Sequence, residues 1–360
     1  MGNAVKPSES AEAVRVPVSE LRAFIARALE SVGLPAKDAD RVGELMAEAD
    51  ARGSEGHGVF RLPMYVKRIQ SGGMNKHPQM RLLREQAASA LLDGDDGMGH
   101  LVMSRAAEIA IDKARKAGVA WVGARNSNHA GPAHLYARMP LAHDMIGLYI
   151  AVGSANHLPP WGGIQMLLST NPIAIAIPAL RRPAIVLDMA TTNAAYGKVK
   201  VKAQRGETMP EGWMMTREGK PLTDPKRAGE GFLLPIGGPK GYGLALMFGL
   251  LAGTLNGAAF GKNVIDFNAD SKTKTNTGHL IVAVNIAAFA EVREFKQSVD
   301  GIWDEMKSSP KLPGVDEIRL PGERSEAIHV DRMANGVPVS RELRRTLDEL
   351  ADRLGVRRLG

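Results

Sequence analysis

Apolar residues recur at helical spacing near the start of the chain. The pattern predicts an amphipathic helix over residues 18–32, capped by Ser19 and ended by Gly33 and Pro35. A second helix is predicted from about Asp38 to Ala51. The apolar face of the first helix consists of Leu21, Phe24, Ile25, Ala28, Leu29 and Val32.

The end of the chain has the same periodicity. Apolar residues repeat at helical spacing over residues 289–306, before Pro310, and again over residues 343–354. Both termini are therefore predicted to be helical, and chain termini often lie near each other. We expect residues 1–80 and 288–360 to form one discontinuous helical domain.

The middle of the chain alternates differently. Short apolar runs bounded by turn residues are typical of buried strands, and one helix is predicted among them, from about Ser104 to Lys116. Because helices do not regularly separate the strands, the expected fold class is α+β, with a mixed sheet. The predicted strands are residues 119–122, 145–152, 172–178, 183–187 and 280–286.

Composition is that of an ordinary globular protein. Hydrophobic residues make up 44% of the 360 residues and charged residues 24%. The net charge of +7 is scattered, whereas a nucleic-acid footprint needs a denser basic patch. Aromatic residues at 5% leave little material for stacking bases. We expect anionic small molecules as partners and no nucleic acid; a non-catalytic basic nucleic-acid-binding protein is the alternative from a different class.

The chain contains no cysteine, which excludes disulfides, thiolate zinc sites and a cysteine nucleophile. Residues 1–16 are charged and lack an apolar core, so no secretory signal is predicted. The uncharged stretch Gly241–Gly261 has the length of a membrane span, but its many glycines favour a closely packed buried helix. The expected location is the cytoplasm, without membrane attachment.

One short segment pairs a proton carrier with a carboxylate clamp. In Gly56-His57-Gly58-Val59-Phe60-Arg61, the histidine can exchange a proton near neutral pH and the arginine can bind a carboxylate in bidentate fashion. Pro63 predicts a helix that begins between Gly58 and Arg61, which places His57 at its N-terminus, where the dipole favours a neutral ring. The alternative is a structural cap at His57 and a solvated Arg61.

Two further segments follow predicted strands. His129, in NSNHAG, is a second candidate acid/base, or else a turn histidine. Asp188 lies at a strand end, where it could fix a histidine's tautomer, while Thr191 and Thr192 could hold a phosphate or a ribose. A side-chain-capped turn of Asp188 and Thr191 is equally compatible. No metal is predicted, because the remaining histidines lack metal spacing: His134, His143 and His157.

The glycine-rich stretch 237–243 opens the long apolar helix. It suits an anion at a helix N-terminus, with Lys240 as counter-charge. It matches neither the dinucleotide fingerprint nor the P-loop. A serine hydrolase is disfavoured as well, because no G-x-S-x-G elbow is present.

Seven segments, taken in order from about Val16 to Leu354, resemble one family: malate/L-lactate dehydrogenases of the type unrelated to the Rossmann-fold enzymes. This family also includes ureidoglycolate, sulfolactate and diketogulonate oxidoreductases and cyclic imine reductases. No single segment is decisive, but their shared order makes coincidence improbable. The segments are GHGVFRLPMY, NSNHAG, PWGG, STNP, LDMATTNAAYGK, GGPKGYGL and LPGERS.

The resemblance implies a homodimer that transfers hydride between NAD or NADP and a 2-hydroxy acid or its 2-oxo counterpart. It also implies a non-Rossmann cofactor domain, expected here in the cofactor- and substrate-binding region 81–287, of one or two subdomains. His57 resembles the acid/base of some members and His129 that of others, with Asp188 in the same catalytic set. The implied substrate contacts are Arg61, Tyr65, Thr170 and Asn171, and the implied cofactor contacts are Asp188, Met189, Ala190, Thr191, Thr192, Pro239, Lys240, Gly322, Glu323 and Arg324.

Three positions depart from the family pattern. Gly56 replaces a serine that usually precedes the first histidine, Ser169 replaces a glycine before Thr170, and His157 begins a local variation before PWGG. These departures bear on the substrate, so a cyclic imine acid reductase and a ureidoglycolate-type dehydrogenase remain alternatives on the same fold.

Overall fold

The computed structural model describes residues 13–360, with only the backbone described at Gln204 and Arg205. The predicted lack of a secretory signal concerns mainly residues 1–12, which lie outside the described residues. The chain divides into two compact units. One comprises the described part of Met1–Gln70 with Arg324–Gly360, and the other comprises Ser71–Glu323.

The described elements alternate irregularly along the chain. The helices are α1 Val18–Ser31, α2 Ala36–Ala51, α3 Leu62–Gln70, α4 Gly99–Ala117, α5 His134–Ala137, α6 Tyr196–Arg205, α7 Pro239–Ala252, α8 Val292–Ser308, α9 Glu323–Asn335 and α10 Arg341–Leu354. The strands are β1 Val14–Val16, β2 Arg81–Glu85, β3 Ser89–Asp93, β4 Val119–Ser127, β5 Met145–Ala151, β6 Asn156–Leu158, β7 Leu168–Ser169, β8 Ile173–Ile177, β9 Ile185–Met189, β10 Met214–Thr216, β11 Pro221–Leu222, β12 Gly231–Leu233, β13 Thr277–Asn285 and β14 Val337–Val339.

The first unit joins the two ends of the chain. Strand β1 pairs antiparallel with β14, with Val16 opposite Val337. Helices α1 and α2 pack closely, because a side chain at Gly43 would come within 2.7 Å of the Arg22 carbonyl oxygen. The predicted helices α1, α2 and α10 are confirmed, but the expected cap at Ser19 is wrong. The N-cap is Pro17, so Ser19 already lies inside the first helical turn.

The second unit is built on a seven-stranded sheet of order β2-β3-β4-β13-β5-β8-β9. Only the β3 and β4 pair is parallel in this sheet as described, and the other pairs are antiparallel. The five predicted strands are confirmed as β4, β5, β8, β9 and β13. The expected mixed sheet and α+β class are thereby confirmed.

Helix α8 belongs to this second unit, so its position differs from the expected boundary at residue 288. The buried carboxylate of Asp300 accepts hydrogen bonds of 3.1, 3.0 and 3.1 Å from the backbone N–H groups of Leu180, Arg181 and Arg182. A buried carboxylate needs such donors, and the turn after β8 supplies them. These bonds anchor α8 beside the sheet.

Helix α7 is shorter and less buried than predicted. It ends at Ala252, where Gly253 follows, and it exposes Leu244, Met247 and Leu250 by 40%, 50% and 37%. The expected closely packed helix is therefore correct for one face only, where Gly249 lies against the Phe260 ring. Among the residues that the structure describes, no helix is long and apolar enough to cross a membrane.

Candidate active site

The segment with His57 and Arg61 forms two successive 3-10 turns, Glu55–His57 and Val59–Arg61. Helix α3 begins only at Leu62. The predicted start between Gly58 and Arg61 fits the 3-10 turn at Val59, which runs directly into α3, although the α-helix itself begins one residue later than predicted, at Leu62. Gly58, with a ψ of −140°, separates the two 3-10 turns. His57 lies in the first 3-10 turn, so the expected effect of the α3 dipole on its ring does not apply as stated.

A buried carboxylate fixes these turns. Asp50, 2% exposed, accepts a hydrogen bond of 2.7 Å from the Val59 N–H. Burial raises the pKa of Asp50 to about 8. On the other side, Arg332 donates 2.6 Å to the Asp50 carbonyl and forms an ion pair with Glu55. The backbone around His57 is thus held by contacts from α2 and α9.

Arg61 and Tyr65 are the two residues of this segment that the family resemblance implies as substrate contacts. The Arg61 Nε donates a hydrogen bond of 2.9 Å to the Gly56 carbonyl, which folds the side chain back over the turn. Burial lowers the pKa of the Arg61 guanidinium, and the nearby Tyr65 opposes this shift. Burial also raises the pKa of the fully buried Tyr65 phenol. The structure therefore brings these two residues together in a poorly solvated environment, where a carboxylate would interact strongly with the guanidinium.

In the second unit, the turn after β4 carries His129. The preceding Asn128 is fully buried and donates 2.9 Å and 3.1 Å to the carbonyl oxygens of Asp96 and Gly97. The ring of His129 lies 5.3 Å from the Phe267 ring, centroid to centroid, and its Nδ1 accepts a long bond of 3.4 Å from the Gly131 N–H. The turn is rigidly built and His129 is half-buried on it.

A buried histidine, His279, contacts the turn that carries His129. His279 contacts the Tyr149 hydroxyl at 2.8 Å through Nδ1 and the Ser127 hydroxyl at 3.1 Å through Nε2. Burial lowers the pKa of His279 to about 4, so the ring is neutral at physiological pH. Its role is structural support of the turn.

Asp188, at the end of β9, bonds to His134, a histidine for which the sequence predicted no metal and indicated no other role. Its Oδ2 accepts 2.7 Å from the His134 Nδ1 and 3.1 Å from the His134 backbone N–H. The carboxylate therefore caps α5, and the expected cap between Asp188 and Thr191 is replaced by a bond of 2.8 Å from the Thr191 hydroxyl to the Thr170 carbonyl. No signal in the sequence links His134 to Asp188, because the contact is tertiary.

The proposed cofactor segment after Asp188 contacts two other predicted stretches. Thr191 donates from its backbone N–H to the Thr170 carbonyl at 3.0 Å, and the Ile236 N–H donates to the Thr191 carbonyl at 3.0 Å. Thr192 forms a β-bridge with Pro235. Residues 188–192 therefore lie beside Thr170 and beside the entry to α7.

The entry to α7 has the features expected of an anion site. Its N-cap, Gly238, has a φ of 63° and, as a glycine, offers no side chain to cap the N–H groups of the first turn. Pro239 occupies the first helical position, and Lys240 follows it, exposed. Uncapped N–H groups, the helix dipole and a lysine fit a phosphate of a dinucleotide.

The LPGERS turn also reaches β9. Gly322 has a φ of 87°, and a side chain there would come within 2.9 Å of the Val186 carbonyl oxygen. The Val186 N–H donates 3.0 Å to the Pro321 carbonyl. Glu323 already accepts from the Leu320 N–H at 3.0 Å and pairs with Lys307 at 2.6 Å. Arg324, exposed on α9, belongs to the first unit.

Asn171 has a structural role. It is fully buried with a φ of 22°, its Oδ1 accepts 3.0 Å from the Gly153 N–H, and its Nδ2 donates 2.7 Å to the Ala245 carbonyl. Ser169, one of the departures from the family pattern, donates 2.5 Å to the Ala155 carbonyl. Both side chains fix the backbone around Thr170. Of the two implied substrate contacts in this stretch, Asn171 is buried and Thr170 is half-buried.

His157, another departure, lines a cavity of about 410 Å³ in the second unit. Its ring stacks on Tyr196 with 4.2 Å between centroids, and Lys200 and Asp266 also line the cavity. Burial lowers the pKa of His157 to about 4. Within residues 13–360, no group of three or more histidine and acidic side chains is placed to hold a metal ion; the expected lack of a metal stays a prediction.

Comparison with known proteins finds relatives of the whole chain. The sequence model of malate/L-lactate dehydrogenase matches residues 16–348. The malate dehydrogenase of Pyrococcus abyssi is 40% identical over 354 residues, which cover 96% of each chain. The structure of malate dehydrogenase from Pyrococcus horikoshii OT3 superposes with a TM-score of 0.90 at 36% identity, over 98% of this chain and 99% of that chain. The structure of delta1-piperideine-2-carboxylate reductase from Pseudomonas syringae pvar. tomato superposes with a TM-score of 0.83 at 30% identity, over 94% of this chain and 100% of that chain.

These similarities extend over both compact units. They confirm the predicted resemblance and the predicted use of NAD or NADP. The chain therefore belongs to the malate/L-lactate dehydrogenase family and is an NAD(P)-dependent oxidoreductase that acts on CH–OH groups.

Proposed function

We propose that the protein interconverts a small 2-oxo acid and its 2-hydroxy acid, with His57 or His129 as the acid/base. The observation that carries this proposal is that separate stretches meet along β9 and the segment that follows it. Thr170 and the entry to α7 contact Thr191 and Thr192, just after the end of β9, and the turn at Gly322 contacts Val186 near the beginning of the strand. These stretches supply the hydroxyls, amides and positive charge that a dinucleotide requires.

The protein's own part in the reaction is binding and proton transfer. NAD(P)H, when bound, supplies the hydride. Arg61 holds the substrate carboxylate by bidentate hydrogen bonds and thereby orients the neighbouring reacting carbon. One of the two turn-borne histidines donates a proton to the carbonyl oxygen during reduction and takes it back during oxidation.

Two alternatives share this chemistry. A cyclic imine acid and ureidoglycolate each present a carboxylate next to the reacting carbon, so Arg61 suits all three substrate classes. Similarity to the piperideine carboxylate reductase supports keeping the imine in the test. Gly56, His157 and Ser169, the departures from the family pattern, are the positions that we expect to bear on this choice.

The test is absorbance at the nicotinamide band, with purified protein, NADH or NADPH, and a panel of acids. The panel contains pyruvate, oxaloacetate, 2-oxoglutarate, phenylpyruvate, 2,3-diketogulonate and cyclic imine acids, with ureidoglycolate and NAD(P)+ for the oxidation. Turnover of a 2-oxo acid supports the proposal, and exclusive turnover of an imine or of ureidoglycolate selects that alternative. Binding of NAD(P)H without turnover of any acid contradicts the proposed substrate class; salt-dependent DNA retention without NAD(P)H binding supports the nucleic-acid alternative.

We also propose that the protein is a homodimer. The exposed face of α7, with Leu244, Met247 and Leu250, is apolar, and such a face favours burial against another protein surface. Light scattering after size-exclusion chromatography should give twice the mass of the chain. Met247→Glu should yield monomer, whereas Leu312→Glu, at a 76% exposed loop position, should leave the dimer intact. A monomeric wild type contradicts the proposal.

The proposed location is the cytoplasm. Its support is the sequence's complete lack of cysteine, which suits a protein that needs no oxidising compartment. Fractionation of the producing cells, followed by the nicotinamide assay, should recover the activity with cytoplasmic marker enzymes. Recovery in the periplasmic or membrane fraction would overturn this assignment.

A further inference from the structure

Asp188 and His134 are joined by two hydrogen bonds. Of these two residues, only Asp188 is proposed to contact the cofactor. A single oxygen, Oδ2, accepts from both the ring Nδ1 at 2.7 Å and the backbone N–H at 3.1 Å of the same residue. His134 is 5% exposed, whereas the Asp188 side chain is 27% exposed. A buried group thus holds one oxygen of an accessible carboxylate, and among residues 13–360 no hydrogen bond is found to the other oxygen, Oδ1.

The contact also fixes the tautomer of His134. A carboxylate oxygen only accepts hydrogen bonds, so Nδ1 must carry the proton. In the neutral ring, Nε2 is then an acceptor, and this buried atom has no hydrogen-bond partner in the described chain. Only the Nδ1 side of the ring is therefore used, and the buried Nε2 costs stability.

If residue 134 served packing alone, an apolar side chain would be more stable there than histidine. A leucine would fill a similar volume without burying an unbonded nitrogen, and the backbone N–H would still cap onto Asp188. The imidazole is thus a poor choice for stability but a good one for holding a carboxylate in one rotamer. Such a cost is common where a side chain serves function.

We propose that His134 is a positioning residue that locks the Asp188 carboxylate, so that Oδ1 accepts a hydrogen bond from a donor of the dinucleotide. An ionised carboxylate accepts only, so the matching groups on NAD(P)H are a ribose hydroxyl or an amide N–H. This inference rests on the proposed function, which makes residues 188–192 cofactor contacts. It assigns His134 no direct contact with cofactor or substrate.

The test measures the equilibrium Kd for NADH and NADPH by nicotinamide fluorescence, together with the Tm of each variant, so that no turnover is needed. His134→Leu should raise the Kd about tenfold, as expected for a charge-assisted bond that loses its alignment, while the Tm stays the same or rises. His134→Asn places an amide N–H near the position of Nδ1 and should recover most of the affinity. His134→Gln, whose amide extends to the position of Nε2, should not. The matched control is His143→Leu, at an exposed position, which should leave the Kd unchanged.

A double-mutant cycle separates action through Asp188 from any other effect. Asp188→Ala should weaken binding, and adding His134→Leu to it should weaken binding no further. Unchanged affinity in His134→Leu, or equal and additive losses in the two variants, would overturn the positioning role while leaving the proposed function intact. A wild-type protein that binds neither NADH nor NADPH would instead contradict the proposed function itself.

Discussion

The carboxylate of Asp50 occupies the space that a side chain at residue 58 would need. A Cβ built on Gly58 lies 2.0 Å from the Asp50 Oδ1, while the Oδ2 of the same carboxylate accepts 2.7 Å from the Val59 N–H. The glycine after His57 is therefore required by a contact inside its own unit. By contrast, a Cβ on Gly56 meets no atom of the described part of the chain within 4 Å.

Substitution of these two glycines should have opposite outcomes. Gly58→Ala should destabilise the protein by about 1–3 kcal/mol, since the carboxylate must leave its buried position, and should reduce turnover by displacing His57. Gly56→Ala should leave stability unchanged. Thermal unfolding of the two variants beside the wild type measures this difference. Equal Tm values for all three would contradict the prediction, because they would show that the Asp50 side chain can move away from residue 58 without loss of stability.

Asp50 should also govern stability at mildly alkaline pH. Its folded-state pKa of about 8 lies above the ordinary value, so the folded protein holds a proton that the unfolded chain releases. The resulting stability is complete below about pH 4 and is lost as the pH rises through 8, with a slope approaching about 1.4 kcal/mol per pH unit. Asp50→Asn, which cannot titrate, should remove this slope.

Urea unfolding between pH 6.5 and pH 8.5 measures the difference, because His157 and His279, with pKa values lowered to about 4, remain neutral in the folded state over this range. For these histidines the direction is reversed. Their contribution is present above the ordinary histidine pKa of about 6.5 and is lost as the pH falls towards 4. Parallel pH profiles of wild type and Asp50→Asn would contradict the raised pKa of Asp50.

Two histidines compete for the role of proton carrier. His57→Asn and His129→Asn should have unequal effects on turnover, with the acid/base variant losing at least about a hundredfold in kcat. Cofactor affinity should be nearly unchanged in both, because neither histidine is assigned to the cofactor. Stopped-flow and steady-state rates, compared with the Kd for NAD(P)H, provide the measurement. Full activity in both variants would exclude both assignments.

Gly322 should be required both for its positive φ and for its close approach to β9, and a comparison with Gly314 separates the two effects. Gly322 and Gly314 both have positive φ values, 87° and 79°, so an alanine is strained at either position. Only at 322 does the added Cβ also meet the backbone of Val186, within 2.9 Å of its carbonyl oxygen. Gly322→Ala should therefore lower the Tm more than Gly314→Ala and weaken cofactor binding as well; identical effects would show that backbone strain alone matters.

The large elements were predictable because each carries a signal of its own. Strand β13 is an apolar run that is buried in the middle of the sheet, and α1 has a continuous apolar face, so pattern and packing agree. Strands β6, β7 and β11 contain only two or three residues, which is too few for an alternating apolar pattern to mark them, although each pairs with a nearby strand. Helix α8 was predicted, but its position in the second unit was not, because that position depends on the hydrogen bonds of Asp300 to the turn after β8.

The same distinction applies to the site. The segments at Arg61, Asp188 and Lys240 were found because their residue types suggest chemistry within a few positions. The pairing of Asp188 with His134 spans 54 residues of sequence, and nothing local favoured His134 over the other histidines. Asn171 was predicted as a substrate contact from the family resemblance, and its burial and its two backbone bonds depend on residues elsewhere in the chain, Gly153 and Ala245.

The antiparallel pair of β1 and β14 has a consequence for the order in which the protein can be made. Val16 meets Val337 in this pair, so the first unit remains incomplete until almost the whole chain has left the ribosome. By contrast, the second unit consists of one continuous stretch, Ser71–Glu323, so all of its residues are synthesised before the last part of the first unit. During synthesis, α1 and α2 must wait with exposed apolar faces for their last partners. Loss of the C-terminal segment would therefore leave the N-terminal part of the first unit, including the turn that carries His57, without its packing partners.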